Sequence, residues 1–520
     1  MSTIDHPSQH ALHVLALAAI TVAFFWQPLF TDETFFFRDL WRYYYPVRWV
    51  SVEQIQSGQI PLWNPYSSCG YPLLGTLTLG IFYPLGLIFL LLPFGLAFKH
   101  YIILHYFLAA VFAYALAAEW GLSAAAALFT ALAFAFSGYF ISLHSGFCYL
   151  ASAVWMPLIV LLFHRTLRRR SVGYAALTGL ALACQFLAGE AGTVLHTGII
   201  LAAYFCFFAF KGGAADNGLN VQRSTFNIQR STAEHPPSIQ NPKSKVQNGP
   251  SLIALLFVLA VTSAGLAMAQ FLPSWELGGQ STRGGGYSLD LSAAGGFMLA
   301  HLPTIVAPFL FGNVYDSWWG GLFRVRDPFF NCIYLGLLPV VMACAAVALA
   351  RRRLTIFLAV VGLLGLLLSL GTLTPLFYLF WKFVPMARMF RYPQKLFALT
   401  AFATPFLAGL AFDHLSVLSA PTARTMRRTL WAVGIFVALL WVTVAAFHVG
   451  ADWFRDTLAV DRPKMQGDEL AQQAYDHFAV SALKAAAGLT LALAFVVAVV
   501  AGKLSPARFR MAALVFLVAD

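Results

Sequence analysis

The sequence predicts an all-α protein that crosses a membrane many times, with about 12–13 membrane helices. Of its 520 residues, 60% are hydrophobic and only 10% are charged, whereas soluble domains carry about 25% charged residues. The apolar residues occur in blocks of about 20, the length that a helix needs to cross the hydrocarbon layer. Basic residues cluster between alternate blocks, as cytoplasmic connections do. Water-soluble enzyme folds, coiled coils and small disulfide-bonded domains are therefore excluded.

The apolar blocks give about a dozen complete crossings, with a further run from Met511 that ends at Asp520. The first block opens without a basic region and ends in Trp26-Gln27-Pro28 rather than in a small-residue cleavage site. It is therefore expected to remain as a helix and not to be removed as a signal peptide. The predicted crossings are 11–30, 101–118, 124–142, 148–164, 174–190, 192–210, 252–272, 331–350, 354–371, 396–416, 430–448 and 482–501.

The net charge of +12 comes largely from connections that fall between alternate crossings. The positive-inside rule assigns these connections, and with them the N-terminus, to the cytoplasm. This placement explains the basic balance, so that nucleic-acid binding is not needed to account for it. The basic clusters are Arg165–Arg170, Lys211–Lys245, Arg351–Arg353, Arg424–Arg428 and Lys503–Arg510.

Two segments depart from the regular pattern of crossings. Residues 77–98 are apolar enough to span, but a crossing there would place every later basic cluster outside. We therefore expect a re-entrant or interfacial pair of short helices, broken by Pro84 and Pro93. Residues 211–250 are polar and rich in Pro, Asn, Gln and Ser, which predicts a disordered cytoplasmic insertion between modules 1–210 and 251–520.

The first outer connection, residues 31–100, places carboxylates, arginines and aromatic residues at the mouth of the bundle. Asp39 stands close to Arg38 and Arg42, whose charges would keep it ionised. A surface aspartate that pairs with its neighbours for little energy is the simpler interpretation. Tyr44, Trp63 and Asn64 follow, and an aromatic belt at the membrane surface explains most of the aromatic residues here.

Other outer connections also carry charge. Glu276 and Arg283 occur on a glycine-rich stretch, and Arg388, Arg391 and Lys395 recur close together. Arginine forks at a membrane surface suit phosphate oxygens, although contact with lipid headgroups explains them equally well.

Four further polar positions lie within or at the ends of predicted crossings. Glu190 falls at an outer turn, where it is either functional or a loop cap. His196, His144 and Gln185 are expected to make interhelical hydrogen bonds. No spacing of His, Asp, Glu or Cys predicts a metal site, so the residues name no cofactor and leave a divalent metal open.

Several of these motifs resemble the YfhO family of bacterial membrane proteins, in order and spacing and over most of the chain. The block at 58–65 is fairly specific, and the other pieces are weak by themselves. The motifs are Asp39 with Tyr44-Tyr45-Pro46, Ser57-Gly58-Gln59-Ile60-Pro61-Leu62-Trp63-Asn64-Pro65, Gly70-Tyr71-Pro72, Pro273-Ser274-Trp275-Glu276-Leu277 with Ser281 and Arg283, and Phe390-Arg391-Tyr392-Pro393.

The family is similar to GT-C glycosyltransferases, which move a sugar from a polyprenyl-phosphate carrier to an acceptor at the outer face. The resemblance implies a GT-C-like bundle in the bacterial inner membrane, a cell-envelope acceptor, and Asp39 as the catalytic base, with Asp32 and Glu33 as rivals. Arg283, Arg388, Arg391 and Lys395 are expected to stabilise the leaving phosphate. Two departures concern acceptor recognition: residues 211–250 look inserted, and the chain stops inside a hydrophobic run where family members usually continue.

A transporter or flippase of lipid-linked or anionic substrates is the alternative, and a non-catalytic scaffold is a third. Transporters typically carry inverted repeats and charged or broken helices near the bilayer midplane. This sequence places nearly all its charge in the connections, which favours the enzyme. The transferase assignment rests in part on family analogy. The sequence names neither the sugar nor the acceptor, and it leaves the oligomeric state open.

Overall fold

The computed structural model describes residues 7–208, 250–282, 284–310, 332–349, 353–416, 423–452, 468–501 and 503–519. Within these residues the protein is almost entirely helical, and two two-residue strands form the described β-structure. Residues 211–249 of the expected insertion at 211–250 and the expected site residue Arg283 lie outside the described residues. The first prediction, an all-α polytopic membrane protein, is confirmed at this level.

The helices follow the apolar blocks of the sequence, and shorter helical turns occur between them. In chain order the α-helices are α1 (Pro7–Phe24), α2 (Trp26–Phe30), α3 (Tyr45–Gln56), α4 (Ile88–Leu91), α5 (Phe94–Glu119), α6 (Ala124–Ala135), α7 (Gly138–Ser142), α8 (Phe147–Ala153), α9 (Trp155–Arg169), α10 (Val172–Leu187), α11 (Ala191–Phe208), α12 (Leu252–Gly279), α13 (Leu289–Ala293), α14 (Leu337–Leu349), α15 (Arg353–Ser369), α16 (Pro375–Phe383), α17 (Ala398–Leu415), α18 (Ala423–Val449), α19 (Asp468–Val500) and α20 (Pro506–Ala519).

Each predicted crossing contains a helix. Seven helical segments among the described residues are long and apolar enough to cross a membrane, and five further apolar helices of 10–17 residues are shorter than a full crossing. Helix α12 leaves Ile253, Phe257 and Val261 exposed, as expected for a face covered by lipid rather than by protein. The seven segments are Phe94–Glu119, Ala124–Ser145, Phe147–Arg169, Ala191–Phe208, Leu252–Gly279, Pro393–Leu415 and Tyr475–Val499.

Helix α17 lies at the centre of the bundle. Most of its residues are buried, and it packs against α6, α14 and α15. Helix α6 contributes fully buried alanines, among them Ala127, Ala131 and Ala135, whose small side chains let neighbouring helices approach closely. This packing fixes the ends of α17, including the connection that leads into it.

The segment expected to be re-entrant forms short helical turns broken at the two prolines. A 3₁₀ turn covers Leu77–Leu79, and a second covers Pro84–Leu87 and leads into α4. Pro93 precedes α5, which begins at Phe94 rather than near residue 101 as predicted. The helix starts earlier because proline is compatible with the position just before a helix, while the apolar run continues without interruption after it.

The first connection also contains a small hairpin that the sequence did not predict. Strand β1 (Trp63–Asn64) pairs antiparallel with β2 (Tyr71–Pro72), so that Asn64 lies opposite Tyr71. The Asn64 side chain donates to Ser67 Oγ and Tyr71 Oη and accepts from the Tyr66 backbone N–H. These bonds hold the turn together without a long strand on either side.

Candidate functional site

Three of the predicted outer connections meet at one end of the bundle, which we call the pocket end. It comprises the first connection, the turn at 187–190 between α10 and α11, and the connection at 387–395. The Tyr43 hydroxyl is 3.1 Å from Thr78 Oγ1, and the Tyr44 hydroxyl is 3.2 Å from Cys148 Sγ at the start of α8. The first contact is internal to the first connection, and the second attaches that connection to a helix end near the candidate site.

Two glycines bring the first connection against the turn at 187–190. Gly80 has φ +57°, and a Cβ there would lie 2.8 Å from the Leu187 carbonyl oxygen. Gly189 has φ +110°, and a Cβ there would lie 2.9 Å from the Leu77 carbonyl oxygen. Both the left-handed backbone and the missing side chain are therefore required at this contact.

Glu190 and Lys395 form a buried ion pair at the pocket end. Lys395 Nζ lies 3.5 Å from Glu190 Oε1, and the two side chains are 15% and 9% exposed. The other carboxylate oxygen of Glu190 accepts the Thr193 backbone N–H at 3.1 Å, which caps the first turn of α11. Glu190 therefore has the cap role that the sequence left open, and it also pairs with a distant cation; its functional role stays a prediction.

A narrow pocket opens beside this ion pair, with a cavity volume of about 20 Å³. Glu190, Lys395, Thr193 and His196 provide its polar groups, and aromatic rings provide much of the remaining wall. The Lys395 ammonium lies 4.7 Å from the centroid of the Tyr149 ring. Aromatic walls with a few convergent polar groups are typical of small-molecule sites. The aromatic lining residues are Phe134, Tyr139, Phe140, Tyr149 and Phe402.

Arg388 and Arg391 lie on the connection that carries Lys395 and leads into α17. The Arg388 guanidinium is 4.3 Å from the centroid of the Trp381 ring, and its backbone carbonyl accepts from Tyr287 N–H at 2.7 Å. Arg391 lies over the ring of Tyr287, and its Nε is buried without a hydrogen-bond partner among the described residues. The 387–395 connection thus carries a guanidinium with a free donor near the ion pair.

Asp39 is exposed and precedes a π-helical turn, Leu40–Tyr44. It forms no ion pair within the described residues, and Arg283 lies outside them, so the expected meeting of that acid with distant cations stays a prediction. Arg38 just before it has φ 45°, an unfavourable conformation for a side chain with a Cβ. Strained residues and π-helical turns both occur often at functional sites. The catalytic role of Asp39 stays a prediction.

The remaining predicted site residues lie apart from the ion pair. Trp63 is half exposed and covers Gly70, and Asn64 is buried within the hairpin turn. Glu276 is exposed near the end of α12, and Arg42 is exposed on the first connection. The structure thus brings together Glu190 and Lys395, and Tyr44 contacts the nearby Cys148, whereas Asn64 has a structural role in the turn.

Sequence reasoning did not single out Tyr149, and the hydrogen bond expected of His196 stays a prediction. Gln185 and His144 make the expected side-chain contacts, with Thr197 Oγ1 at 2.8 Å and Tyr106 Oη at 3.1 Å. The Nδ1 atom of His196 is buried without a partner among the described residues, and its ring lines the pocket. Its spacing after Glu190, six residues further along one helix, is the only signal in the sequence that it lies near the ion pair.

The tyrosines beside the site are unsuited to act as bases. Burial raises the pKa of Tyr43 to about 12, although its hydrogen bond with Thr78 acts in the opposite direction. Burial also raises the pKa of Tyr44 well above its ordinary value. Both phenols therefore stay protonated near neutral pH, and carboxylates are left as the candidate bases. Within the described ranges, no group of three or more His, Cys, Asp or Glu residues is placed to hold a metal ion.

Comparison with known proteins adds no family to this description. No protein-family model matches the chain, and no curated protein sequence is significantly similar to it.

Proposed function

We propose that this protein is a membrane glycosyltransferase with a GT-C-like bundle, which transfers a sugar from a polyprenyl-phosphate carrier to an acceptor at the outer face of the bacterial inner membrane. The observation that supports it is the convergence of the first connection, the Glu190 turn and the 387–395 connection around one aromatic-walled pocket with a buried ion pair. A carboxylate, cations and aromatic rings are the groups that a phosphate-linked sugar requires.

The proposed reaction needs one base. The acceptor hydroxyl attacks the anomeric carbon and gives its proton to Asp39, while the bond from that carbon to the carrier phosphate oxygen breaks. The electron pair stays on the phosphate, which leaves as an anion and needs no acid to protonate it. Cations stabilise the charge that develops there.

The residues of the 387–395 connection suit the phosphate side of this reaction. Arg391 has an unpartnered buried Nε, and such a donor gains a hydrogen bond when an oxyanion arrives. Lys395 is close enough to Glu190 to share its charge between that carboxylate and a ligand. The ring of Tyr149 below Lys395 offers a flat surface for the sugar.

Transport of a lipid-linked or anionic substrate remains the alternative function. The observation in its favour is that the Glu190–Lys395 pair is buried among helices and that His196 of α11 also lines the pocket. Buried ionisable groups between membrane helices often mark transport pathways.

Incubation of the purified protein with a panel of polyprenyl-phosphate sugars tests the proposal. We expect acceptor-dependent release of polyprenyl phosphate with at least one donor, and loss of that release in Asp39→Asn. Asp32→Asn is the matched control, since Asp32 is an exposed acid on the same connection. If the panel gives no release while proteoliposomes move a labelled lipid-linked sugar across the bilayer, the protein is a transporter. If Asp32→Asn alone loses activity, the base is Asp32.

A further inference from the structure

Arg48 is a cation that the fold buries without a counter-ion. It lies on α3 with 5% of its surface exposed, and no carboxylate in the described part of the chain forms an ion pair with it. Its Nε has no hydrogen-bond partner there. Burial lowers the pKa of Arg48, yet a guanidinium keeps its proton in proteins. The charge is therefore present and unneutralised, which is costly for a folded protein.

A second donor lies unpaired beside the same rings. The Arg48 guanidinium lies over Phe89 and Phe147, 5.1 and 5.5 Å from their centroids. Tyr101 contacts these two rings at 5.5 and 4.4 Å, and its buried hydroxyl has no hydrogen-bond partner within the described residues. Two unsatisfied donors in one apolar environment indicate that an acceptor from outside the described residues completes them.

Arg48 lines a cavity between α3 and the short helical turns at 81–90. The cavity encloses about 720 Å³ free of protein atoms, part of it open to solvent. Its other hydroxyls are engaged: Ser51 Oγ donates to the Arg48 carbonyl, and Tyr83 Oη contacts His105 Nε2 and accepts from Trp155 Nε1. The guanidinium is therefore the group in this lining that is left to bind a charged ligand.

The rest of the lining is apolar and leads to the surface. Ile55, Ile81 and Phe89 form inner walls, while Phe82, Leu87 and Leu90 are 42%, 60% and 41% exposed. An apolar path from a buried cation to an exposed apolar rim fits a ligand with an anionic head and a hydrocarbon chain. A free inorganic anion would gain the guanidinium but nothing from these walls.

We propose that this cavity binds the oxyanion of an anionic amphiphile, with Arg48 holding the charged head and the residues of 81–90 holding the chain. None of its lining residues lines the Glu190–Lys395 pocket. The proposal is therefore independent of the proposed transferase function, and its test can succeed or fail whatever the outcome for that function.

Titration of the purified protein with dodecyl phosphate in dodecyl maltoside micelles tests this site. Trp155 reports on it, because its indole N–H bonds to Tyr83 in the lining. We expect saturable binding that Arg48→Gln weakens at least about ten-fold, as expected for loss of charge-assisted hydrogen bonds. Arg42→Gln, which removes an exposed cation of the same connection, is the control and should bind like the wild type.

Two further arms separate the sources of binding and guard against a misfolded variant. Inorganic phosphate alone should not compete at concentrations where dodecyl phosphate saturates. Leu87→Glu and Leu87→Gln both make the exposed rim polar and keep Arg48, but Leu87→Glu should weaken binding more, since it alone adds a negative charge. Equal affinities for wild type and Arg48→Gln, or for Leu87→Glu and Leu87→Gln, would overturn the proposal. So would inorganic phosphate that binds as tightly as the amphiphile.

Discussion

The two ends of the bundle each hold a carboxylate–cation pair, and the pairs differ in geometry. At the opposite end from the pocket, which we call the Arg165 end, Arg165 donates from Nε and Nη2 to one oxygen of Glu119, at 3.0 and 2.6 Å. At the pocket end, Lys395 Nζ is 3.5 Å from Glu190. The first pair joins the ends of α5 and α9 by a short, directional contact, and the second is looser.

The pair with the longer contact is the more deeply buried of the two. The Arg165 and Glu119 side chains are 32% and 19% exposed, whereas those of Lys395 and Glu190 are 15% and 9% exposed. An ion pair with short contacts that is partly exposed to water contributes little to the stability of the fold, and it requires no ligand to neutralise its charges. In a buried ion pair with a longer contact, removal of either partner strongly destabilises the fold. A charged ligand in the adjacent cavity competes effectively for one of the two partners. The Arg165–Glu119 pair, which has the shorter contacts, is therefore structural. The Lys395–Glu190 pair, which has the longer contact, is the candidate for function.

Substitution of Asp39 gives the largest expected contrast between the ends. Asp39→Asn should lower kcat about 10²- to 10⁴-fold, the usual contribution of a general base, with unchanged expression and thermal stability. Asp413→Asn is the matched change at the Arg165 end, where Asp413 accepts the Ser123 backbone N–H, and it should leave turnover unchanged. Release of carrier phosphate measures both, and equal loss in the two variants would remove Asp39 from the reaction.

Removal of the pocket-end cation should destabilise the fold. Lys395→Met leaves the Glu190 carboxylate buried without its partner, at a cost of about 3 kcal/mol in the free energy of unfolding. The double variant Glu190→Gln/Lys395→Met should regain most of this, because no charge is then left unpaired. Denaturation in mixed micelles, followed by tryptophan fluorescence, measures the differences. A double variant as unstable as Lys395→Met would show that the ion pair is not the cause.

Loss of the hairpin amide should have a smaller and local effect. Asn64→Ala leaves the Tyr66 N–H and Tyr71 hydroxyl without their partner, which costs about 2 kcal/mol. We expect faster proteolysis within residues 57–76 while the bundle stays intact. Ser67→Ala removes only one of the acceptors and should change the cleavage rate less. Equal rates for wild type and Asn64→Ala would contradict the role given to this side chain.

The smallest effect is expected at the Arg165 end. Glu119→Gln keeps a hydrogen-bond acceptor for Arg165 and removes one charge from a partly exposed pair, so the free energy of unfolding should fall by about 1 kcal/mol or less. Turnover should not change. A stability loss as large as that of Lys395→Met, measured under the same conditions, would erase the distinction between the two ends.

Local sequence patterns predicted most of the helices, whereas contacts between distant segments could not be predicted from the sequence. The apolar blocks, Pro84 and Pro93 act on their own neighbourhood, and the helices and breaks follow them closely. The hairpin was missed because Asn64 holds it through side chains on the far side of the turn.

The site was predictable in part. Glu190 and Lys395 were each singled out by their unusual position, but their pairing depends on how α11 and α17 pack. Arg48 was not singled out at all, since a sequence shows a cation on a short helix and not the rings that cover it. The Asp39 hypothesis drew on position and resemblance, and the packing of the described residues neither pairs that acid with the cations nor tests its role.

The reciprocal glycine contact has a mechanical consequence for the first connection. The backbone of the first connection touches the backbone of the turn at 187–190 at Gly80 and Gly189. This part of the first connection is therefore held in place and does not move as a lid. A single added methyl group at either glycine would push the first connection away from the turn at 187–190 and open a gap between them.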